Sequence, residues 1–564
     1  MLNFLARGVV VVVCAVTFVA CKGSESDSRP DAPDKRDASQ NDAAQSGDAE
    51  VSDSGAPRLM DAGEHSAADS GAHKLDSGAE KDAAMAMDSS TAPHDAGHDS
   101  GFHHVDDEDS GPADSGSGQP VSEDTFAMRV VASGLDAPWE ITWGPDARLW
   151  ITERTGGRVI RMDPANGNFS VALTLSDVYQ AAGQDGLLGM ALHPQLGRSL
   201  GNDYVYLAYT YDADASGDVD RRARIVRYAY DMTAGTLGSP MVLIEGLPAS
   251  SDHNSGRLAF GPDDHLYYTI GDQGHNQFDN MCLQIRAQDI PTQIEVNSQD
   301  WSTYQGKILR LGLDGSIPGD NPTIAGVRSH VFSYGHRNAQ GIAFGPGNKL
   351  YASEQGPKTD DELNLIAGGK NYGWPFIAGF RDDSAYVYGN WSASSPEACD
   401  TLSYSDYELP DSVPKQVESA WSNSDYVPPL KTFYTVDNNF QFVDPACPTN
   451  DFICWPTIAP SSLDIYVPGN DGFQTWGTAL LVPSLKKGSV FRVPLSANGE
   501  ATQGETKELF KTTNRYRDLT IAANKRTFYV VTDSTGVTSG PTSGSTQTLD
   551  NPGAVLEFTY AKAP

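Results

Sequence analysis

One hairpin is written four times in this chain. The segments Ile141 to Thr152, Leu258 to Thr269, Ile342 to Ser353 and Leu519 to Val530 each run apolar strand, tight turn, apolar strand, and the first three carry Gly-Pro-Asp or Gly-Pro-Gly at the turn. A period of two broken by such turn residues marks a β-hairpin. A second motif, Gly-x-apolar-apolar-Arg, occurs at Gly157 to Arg161, Gly306 to Arg310 and Gly488 to Arg492, with a relative at Ala223 to Arg227. Weaker hairpins at Tyr204 to Tyr211 and Ala479 to Ser484 bring the count to six units. Small antiparallel sheets repeated along a chain pack radially. The expected fold is therefore all-β: a six-bladed β-propeller of four-stranded antiparallel blades. A β-sandwich is the alternative, but sandwiches do not repeat one hairpin. Helical periodicity is nearly absent, which argues against doubly wound and α/β-barrel folds.

The repeats start only after residue 125. Residues 3 to 20 are a short apolar run with Arg7 near its start, closed by Val19, Ala20 and Cys21. This reads as an export signal. A cysteine after a small residue at the end of such a run is where a lipoprotein signal is cut and acylated, so residues 1–21 are expected to be a lipoprotein signal peptide with Cys21 lipidated. Residues 22–125 are Asp, Ala, Ser and Gly with few large apolar side chains, and hold 25 acidic against 7 basic residues, more than half of the net charge of −34. Such a segment cannot offset its chain entropy by burial and is expected to be a disordered, self-repelling tether. The propeller is expected over 126–564. It is moderately acidic, which argues against nucleic acid as a partner. No other stretch approaches the roughly 20 apolar residues of a membrane span. The protein is thus expected to be exported and held at the outer membrane by its lipid alone, facing periplasm or cell surface. In that oxidising compartment the four remaining cysteines suit disulfides better than metal. Cys447 and Cys454 would close a small loop, and Cys282 and Cys399 are left either to pair by elimination or to stay free.

In a propeller, the residues leaving successive second strands meet near the axis on one face, here Glu153, Asp272, Glu354, Ser484 and Asp533. Polar, Gly-rich loops meeting there form the floor of a pocket. His253 precedes the third hairpin and Asp272 leaves its far end, so folding the hairpin brings a histidine to a carboxylate, the makings of a general base. Strand alternation sets Arg515 and Arg517 on one face, with Lys486 and Lys487 at the same level. These cations suit an anionic ligand with several carboxylates, or else form a solvated face. No Gly-rich phosphate loop and no dinucleotide fingerprint is present. Gly356 and Pro357, followed by Asp360, Asp361 and Glu362, offer oxygen ligands of the kind calcium takes, unless the acidic run merely makes a turn.

At these residues the chain from about 126 to 560 resembles the soluble PQQ-dependent glucose/sorbosone dehydrogenase family. The carrying segments are collinear and include Gly183-Gln-Asp-Gly-Leu-Leu-Gly, Asp252-His-Asn-Ser-Gly-Arg-Leu, Tyr268-Thr-Ile-Gly-Asp-Gln-Gly, Gly335-His-Arg-Asn-Ala-Gln-Gly, Asn371-Tyr-Gly-Trp-Pro, Ile453-Cys-Trp-Pro-Thr and Asn514-Arg-Tyr-Arg-Asp. The resemblance implies oxidation of an aldose at its anomeric carbon to the lactone, with pyrroloquinoline quinone (PQQ) and calcium as cofactors. It implies that His253 takes the anomeric hydroxyl proton while hydride passes to the quinone, that Asp272 orients His253, and that Arg337 sits over the developing negative charge. Gln184 and Asp252 would contact sugar hydroxyls, beside Phe278, Phe452 and Trp455. Asn338, Thr457, Lys486, Arg515 and Arg517 would bind the quinone. Gly356 and Pro357 would offer carbonyl oxygens to its calcium. Further calcium would fall on Glu362, Tyr372, Ala378, Phe380, Asp382 and Glu418, with Tyr372, Ala378 and Phe380 contributing backbone oxygen. The implied partners are an aldose and a periplasmic electron acceptor of unknown identity, and a homodimer is compatible with the sequence.

Two positions depart from the family. Phe452 stands where its sugar dehydrogenase has a tyrosine, and Phe278 replaces a smaller aliphatic residue. Both loosen the choice among aldoses and leave the redox chemistry alone. A non-catalytic propeller that binds sugar or protein would not need His253, Asp272, Lys486 and both arginines together. A calcium-dependent propeller lactonase would need acidic ligands at the axis in place of the cations.

Overall fold

In the computed structural model of the chain, the described residues are 126–561 except 182, 215, 448–450 and 541–543. The expected signal peptide, Cys21 and the tether lie outside them. Among the described residues the chain forms six four-stranded antiparallel sheets and two small two-stranded ones. Blade 1 comprises Pro138–Trp143, Leu149–Glu153, Arg158–Met162 and Phe169–Thr174, and blade 2 comprises Leu187–Leu192, Tyr204–Asp212, Arg221–Asp231 and Thr236–Pro248. Blade 3 holds Ser255–Phe260, Leu266–Ile270, Lys307–Leu311 and Val331–Tyr334, and blade 4 holds Ala339–Gly345, Lys349–Glu354, Asp361–Ile366 and Lys431–Phe433. Blade 5 holds Asp464–Tyr466, Ala479–Pro483, Val490–Pro494 and Lys507–Leu509. Blade 6 takes Tyr516–Ile521, Thr527–Thr532 and Val555–Tyr560 from the C-terminal part and its outermost strand, Phe126–Ala132, from the other end. The first strand of each blade packs on the first strand of the next, and that of blade 6 on that of blade 1, so the ring closes. The fold is the expected six-bladed propeller.

The four recurring hairpins share a left-handed closing residue as well as their pattern. In each the fourth turn residue takes the left-handed conformation: Ala147 (φ 56°), Asp264 (φ 57°), Asn348 (φ 60°) and Lys525 (φ 55°). In three of them its N–H donates to the carbonyl of the first turn residue. In those three this is a type I turn followed by a left-handed residue, a common short hairpin closure, whereas at Gly345 the third turn residue, Gly347, is also left-handed (φ 72°). The weaker hairpins need correction. Tyr204–Asp212 and Ala479–Pro483 are single strands, each the second of its blade, because neither run contains a turn residue that could reverse it.

The apolar layers lie between blades, which is why second strands such as Leu149–Glu153, Leu266–Ile270 and Thr527–Thr532 are buried along their whole length. One layer joins Tyr466 and Leu481 of blade 5 to Phe528, Val530 and Leu556 of blade 6. Phe126 of the returning strand packs beside it, with ring centroids 5.0 Å from Phe510 and 5.8 Å from Phe528.

The axis is polar. Arg257, on the first strand of blade 3, is buried and donates through Nη1 to Glu140 Oε2 (2.6 Å) and Asp518 Oδ2 (3.1 Å), through Nε to the Gln340 carbonyl (2.9 Å) and through Nη2 to the Ser461 carbonyl (3.0 Å). Its guanidinium lies 4.1 Å from the centre of the Trp139 ring. One side chain thus links blade 3 to the first strands of blades 1, 4 and 6 and to the segment entering blade 5.

Candidate active site

His253 and Asp272 meet because of strand register. In blade 3 Ser255 pairs with Ile270, so the residue two before one strand faces the residue two after the other. His253 Nδ1 lies 2.7 Å from Asp272 Oδ1. The other carboxylate oxygen accepts from Trp374 Nε1 (2.8 Å), and Gly274 N–H donates to Oδ1 (2.9 Å). Burial works against the charged Asp272, but the pull of His253, of Arg337 and of the Gly274 N–H outweighs it, and the carboxyl sits below its ordinary range. His253 has φ 45°, left-handed for a residue with a side chain, a strain of about 1–3 kcal/mol that the surroundings must hold. They do so closely: a Cβ on Gly271 would lie 2.0 Å from the His253 carbonyl oxygen. In the neutral ring, donation from Nδ1 to Asp272 would leave the lone pair on Nε2, the arrangement a general base requires.

Around Nε2 the polar groups form a chain. Asp252 Oδ1 lies 3.8 Å from it and accepts from Gln184 Nε2 at 2.6 Å. Gln277 Nε2 is 3.4 Å from Nε2 and 3.2 Å from Asp252 Oδ2, while its Oε1 accepts from Arg337 Nη2 at 3.2 Å. Arg337 also donates to the Gln355 carbonyl (3.2 Å) and lies 5.3 Å from the Trp374 ring centre. Phe452, inside the loop closed by the Cys447–Cys454 disulfide, and Trp455, just after it, stand together with ring centroids 6.5 Å apart. Phe278 packs on Tyr404. The second pair, Cys282–Cys399, also forms.

The quinone candidates lie in three neighbouring groups. Lys486 is buried, and its ammonium donates to the Trp455 carbonyl (3.0 Å) and to Thr457 Oγ1. Burial brings its pKa down to about 7, with the Asp361 charge acting the other way. Arg515 and Arg517 do share a face, since both reach Asp533: Arg515 Nε at 3.2 Å, Arg517 Nε and Nη2 at 2.8 and 2.9 Å. Asn338 accepts from Ser255 Oγ (3.0 Å) and donates to Gln355 Oε1 (3.1 Å). Trp139, Arg154, Gln184, Ser255, Gln340 and Arg517 line one narrow recess, so the sugar candidate Gln184 and the quinone candidate Arg517 border the same space.

Between these groups runs the Gly356 loop. Gly356 N–H donates to Asp361 Oδ1 (2.8 Å), and Asp361 Oδ2 accepts from Ile458 and Ala459 N–H (2.6 and 2.7 Å). Asp361 therefore latches two loops together and spends its oxygens on backbone. A Cβ at Gly356 would meet the Thr359 carbonyl at 2.2 Å, so only glycine fits this cradle. Beyond it, Glu362 accepts from Gly379 N–H (2.6 Å), and Glu418 from the N–H groups of Ala378 (3.0 Å), Asp382 (3.1 Å) and Asp383 (2.9 Å). Burial raises the Asp360 carboxyl to about 6 and that of Glu418 to about 7, and Asp360 Oδ2 is buried with no hydrogen-bond partner. Tyr372 stacks on His336 at 4.8 Å and donates its hydroxyl to the Leu365 carbonyl. Phe380 is exposed. Among the described residues no three His, Cys, Asp or Glu side chains converge as an ion site.

The glucose/sorbosone dehydrogenase model matches residues 135–404. Quinoprotein glucose dehydrogenase B of Acinetobacter calcoaceticus is 44% identical over 443 residues, covering 78% of this chain and 92% of its own. The chain belongs to the glucose/sorbosone dehydrogenase family. It is an oxidoreductase. Within the family, the aldose sugar dehydrogenase of Escherichia coli K12 is 31% identical over 256 residues, 44% of this chain and 62% of the relative. The PQQ-bound aldose sugar dehydrogenase of Streptomyces coelicolor superposes with a TM-score of 0.50 at 26% identity, covering 77% of this chain and 98% of that one.

Set against the family reading, His253, Asp272, Asp252, Gln184 and Arg337 are gathered into one connected group. Gln277, Trp374 and Gln355 complete it and were not singled out in the sequence. Gln277 sits in a turn where Gln273, Asn276 and Phe278 all have positive φ, so no periodicity aims it. Trp374 reaches Asp272 across 102 residues of chain. Its one sequence signal is the Asn371-Tyr-Gly-Trp-Pro motif.

Proposed function

We propose that this chain is a PQQ- and calcium-dependent dehydrogenase that oxidises aldoses at the anomeric carbon. The observation that carries this is the His253–Asp272 pair at 2.7 Å, set in a polar group with Asp252, Gln184, Gln277 and Arg337, with the buried cation Arg517 lining the same recess as Gln184. The names of the relatives support an aldose and PQQ. The residues suit the cofactors: three cations fit the carboxylates of PQQ, and the glycine-only cradle at Gly356 presents backbone oxygen, as a hard cation prefers.

When bound, the quinone supplies a two-electron acceptor and calcium a Lewis acid beside it. The rest is work for side chains. Asp252, Gln184 and Gln277 orient the sugar hydroxyls. His253 Nε2 takes the proton from the anomeric hydroxyl, and Asp272 stabilises the imidazolium that results. Arg337, already turned toward Gln277, offsets negative charge developing on the sugar oxygen. The product of a cyclic aldose is then the lactone. Glu362 and Asp382, with the backbone oxygens of Tyr372, Ala378 and Phe380, would take further calcium beside the unpartnered Asp360 oxygen, and Glu418 would join them only by giving up its bonds from three backbone N–H groups. Export through residues 1–21 and acylation of Cys21 would place the enzyme where a periplasmic acceptor collects its electrons.

Dye reduction by the purified chain with glucose tests the reading. Turnover should appear only after both PQQ and calcium are added, and NAD should have no effect. Turnover in quinone-free protein, or none with any aldose in the loaded protein, overturns it.

A further inference from the structure

We propose that residues 390–409 form a specificity-determining wall of the sugar pocket, that Tyr404 is its contact residue, and that the Cys282–Cys399 disulfide holds this wall against the turn that carries Gln277. The proposal deepens the aldose-dehydrogenase reading and rests on it.

The wall is fastened to the site on two sides. On the first, the residue after Gln277 is Phe278, whose ring meets Tyr404 edge-on at 4.7 Å, and Tyr404 in turn leans on the buried Trp391 at 5.3 Å. Asn276 Nδ2 donates to the Gly389 carbonyl (2.8 Å), and Asn276 Oδ1 accepts from Ser392 N–H (3.3 Å). The Cys282–Cys399 bond, with Cα atoms 5.6 Å apart, closes this side across a sequence separation of 117. On the second side, the Tyr404 hydroxyl donates to Asp406 Oδ1 (3.1 Å), and Lys358, next to Pro357, donates to the Asp406 carbonyl. Tyr407 donates to Asp451 and has its ring 6.3 Å from Trp455. The segment therefore spans the rim from Phe278 to Trp455.

It also adjoins the reacting centre, because Phe278, on which Tyr404 packs, directly follows Gln277, whose side chain reaches Arg337 and His253. Burial pushes the Tyr404 phenol up, so it stays a neutral donor committed to Asp406. Aromatic faces beside carboxylate acceptors are the chemistry that recognises a pyranose: apolar C–H faces against rings and hydroxyls against oxygens. A loop of this length without the cross-link would lose conformational entropy on each sugar-binding event. Pinned, it is pre-organised.

Kinetics of the PQQ- and calcium-loaded full chain on glucose and maltose should compare Tyr404→Ala, Tyr404→Phe and the double variant Cys282→Ser, Cys399→Ser. Tyr404→Ala should raise KM about three- to tenfold, the value of one aromatic contact, with kcat held within about twofold. The shift should differ between the two sugars, because only maltose extends a second ring to the rim. Tyr404→Phe should return KM to the parent value, and the cysteine variant should move KM in the same direction as Tyr404→Ala. An unchanged KM in Tyr404→Ala for both sugars, or a fall in kcat alone, overturns the proposal. Calorimetric titration of both sugars into quinone-free chain separates the two readings. Tyr404-dependent binding without turnover of any aldose keeps the wall and removes the dehydrogenase, whereas turnover with KM indifferent to Tyr404 removes only the wall.

Discussion

His253 has one ring nitrogen committed to Asp272 and the other turned toward Asp252 and Gln277, so deleting the ring should separate chemistry from cofactor binding. We expect His253→Ala to bind PQQ and calcium like the parent while turnover at saturating quinone falls by about 10²- to 10⁴-fold, the usual contribution of a general base. Lys486→Ala should behave in the opposite way. It removes a charge-assisted bond of about 1.5–3 kcal/mol, so more quinone is needed for reconstitution. Titrating quinone into each variant checks both, and recovery of His253→Ala at high quinone would contradict the assignment. At this scale, legibility depended on register. The His253–Asp272 pair could be read because a hairpin with known alternation fixes which residues face each other across its open end. Arg515 and Arg517 do meet on Asp533, but Arg515 precedes the strand and the register shifts between Tyr516 and Asp518, so alternation alone does not account for it. Gln277 follows neither rule, and Asp361 was read as a source of ion-binding oxygen although it spends both oxygens on N–H groups of two loops.

Strands carry the next set of consequences. Arg257 satisfies two carboxylates and two carbonyls at the axis, so Arg257→Leu leaves Glu140 and Asp518 as buried charges without their cation. A loss of about 3–5 kcal/mol is expected, read as a lower denaturant midpoint, and a variant as stable as the parent would show that the network is not a staple. Asp464, first in the opening strand of blade 5, is partly buried, and burial raises its carboxyl from 3.8 to about 7, aided by Asp518. The folded state therefore keeps a proton that the unfolded chain has lost between about pH 4 and 7. Its contribution is complete below pH 4 and lost as pH rises through 7. Asp464→Asn should match the parent at pH 4 and exceed it by about 1–2 kcal/mol at pH 8, after allowance for partial exposure. Melting curves at the two pH values check the sign. Four hairpins were readable because turn chemistry interrupts the alternation at a fixed place. Tyr204–Asp212 was misread because a long uninterrupted strand and a short hairpin look alike when no turn residue is present.

The ring is closed by Phe126–Ala132, which pairs Phe126 with Tyr560 and Val130 with Leu556. Removing residues 1–125 should leave melting temperature and turnover nearly unchanged, because residues 1–21 read as a signal peptide and residues 22–125 have few large apolar side chains to add to a core. Removing residues 1–132 should be severe, since it strips the outer strand from blade 6 and uncovers Phe510 and Phe528. Equal stability of the two truncations would mean that the closure is dispensable. The sequence by itself determined the repeat, the blade number and the ends of strands from which the polar loops depart, because alternation and turn chemistry are local properties written in a few adjacent residues. Only the tertiary structure decided that Arg257 links the blades at the axis, that Gln277, Trp374 and Gln355 complete the group around His253, that Asp533 takes both arginines, and that Cys282 joins Cys399. Each of those depends on groups from separate blades or loops meeting in space. Such meetings follow from ring closure and irregular loop geometry, which no local pattern in the chain encodes.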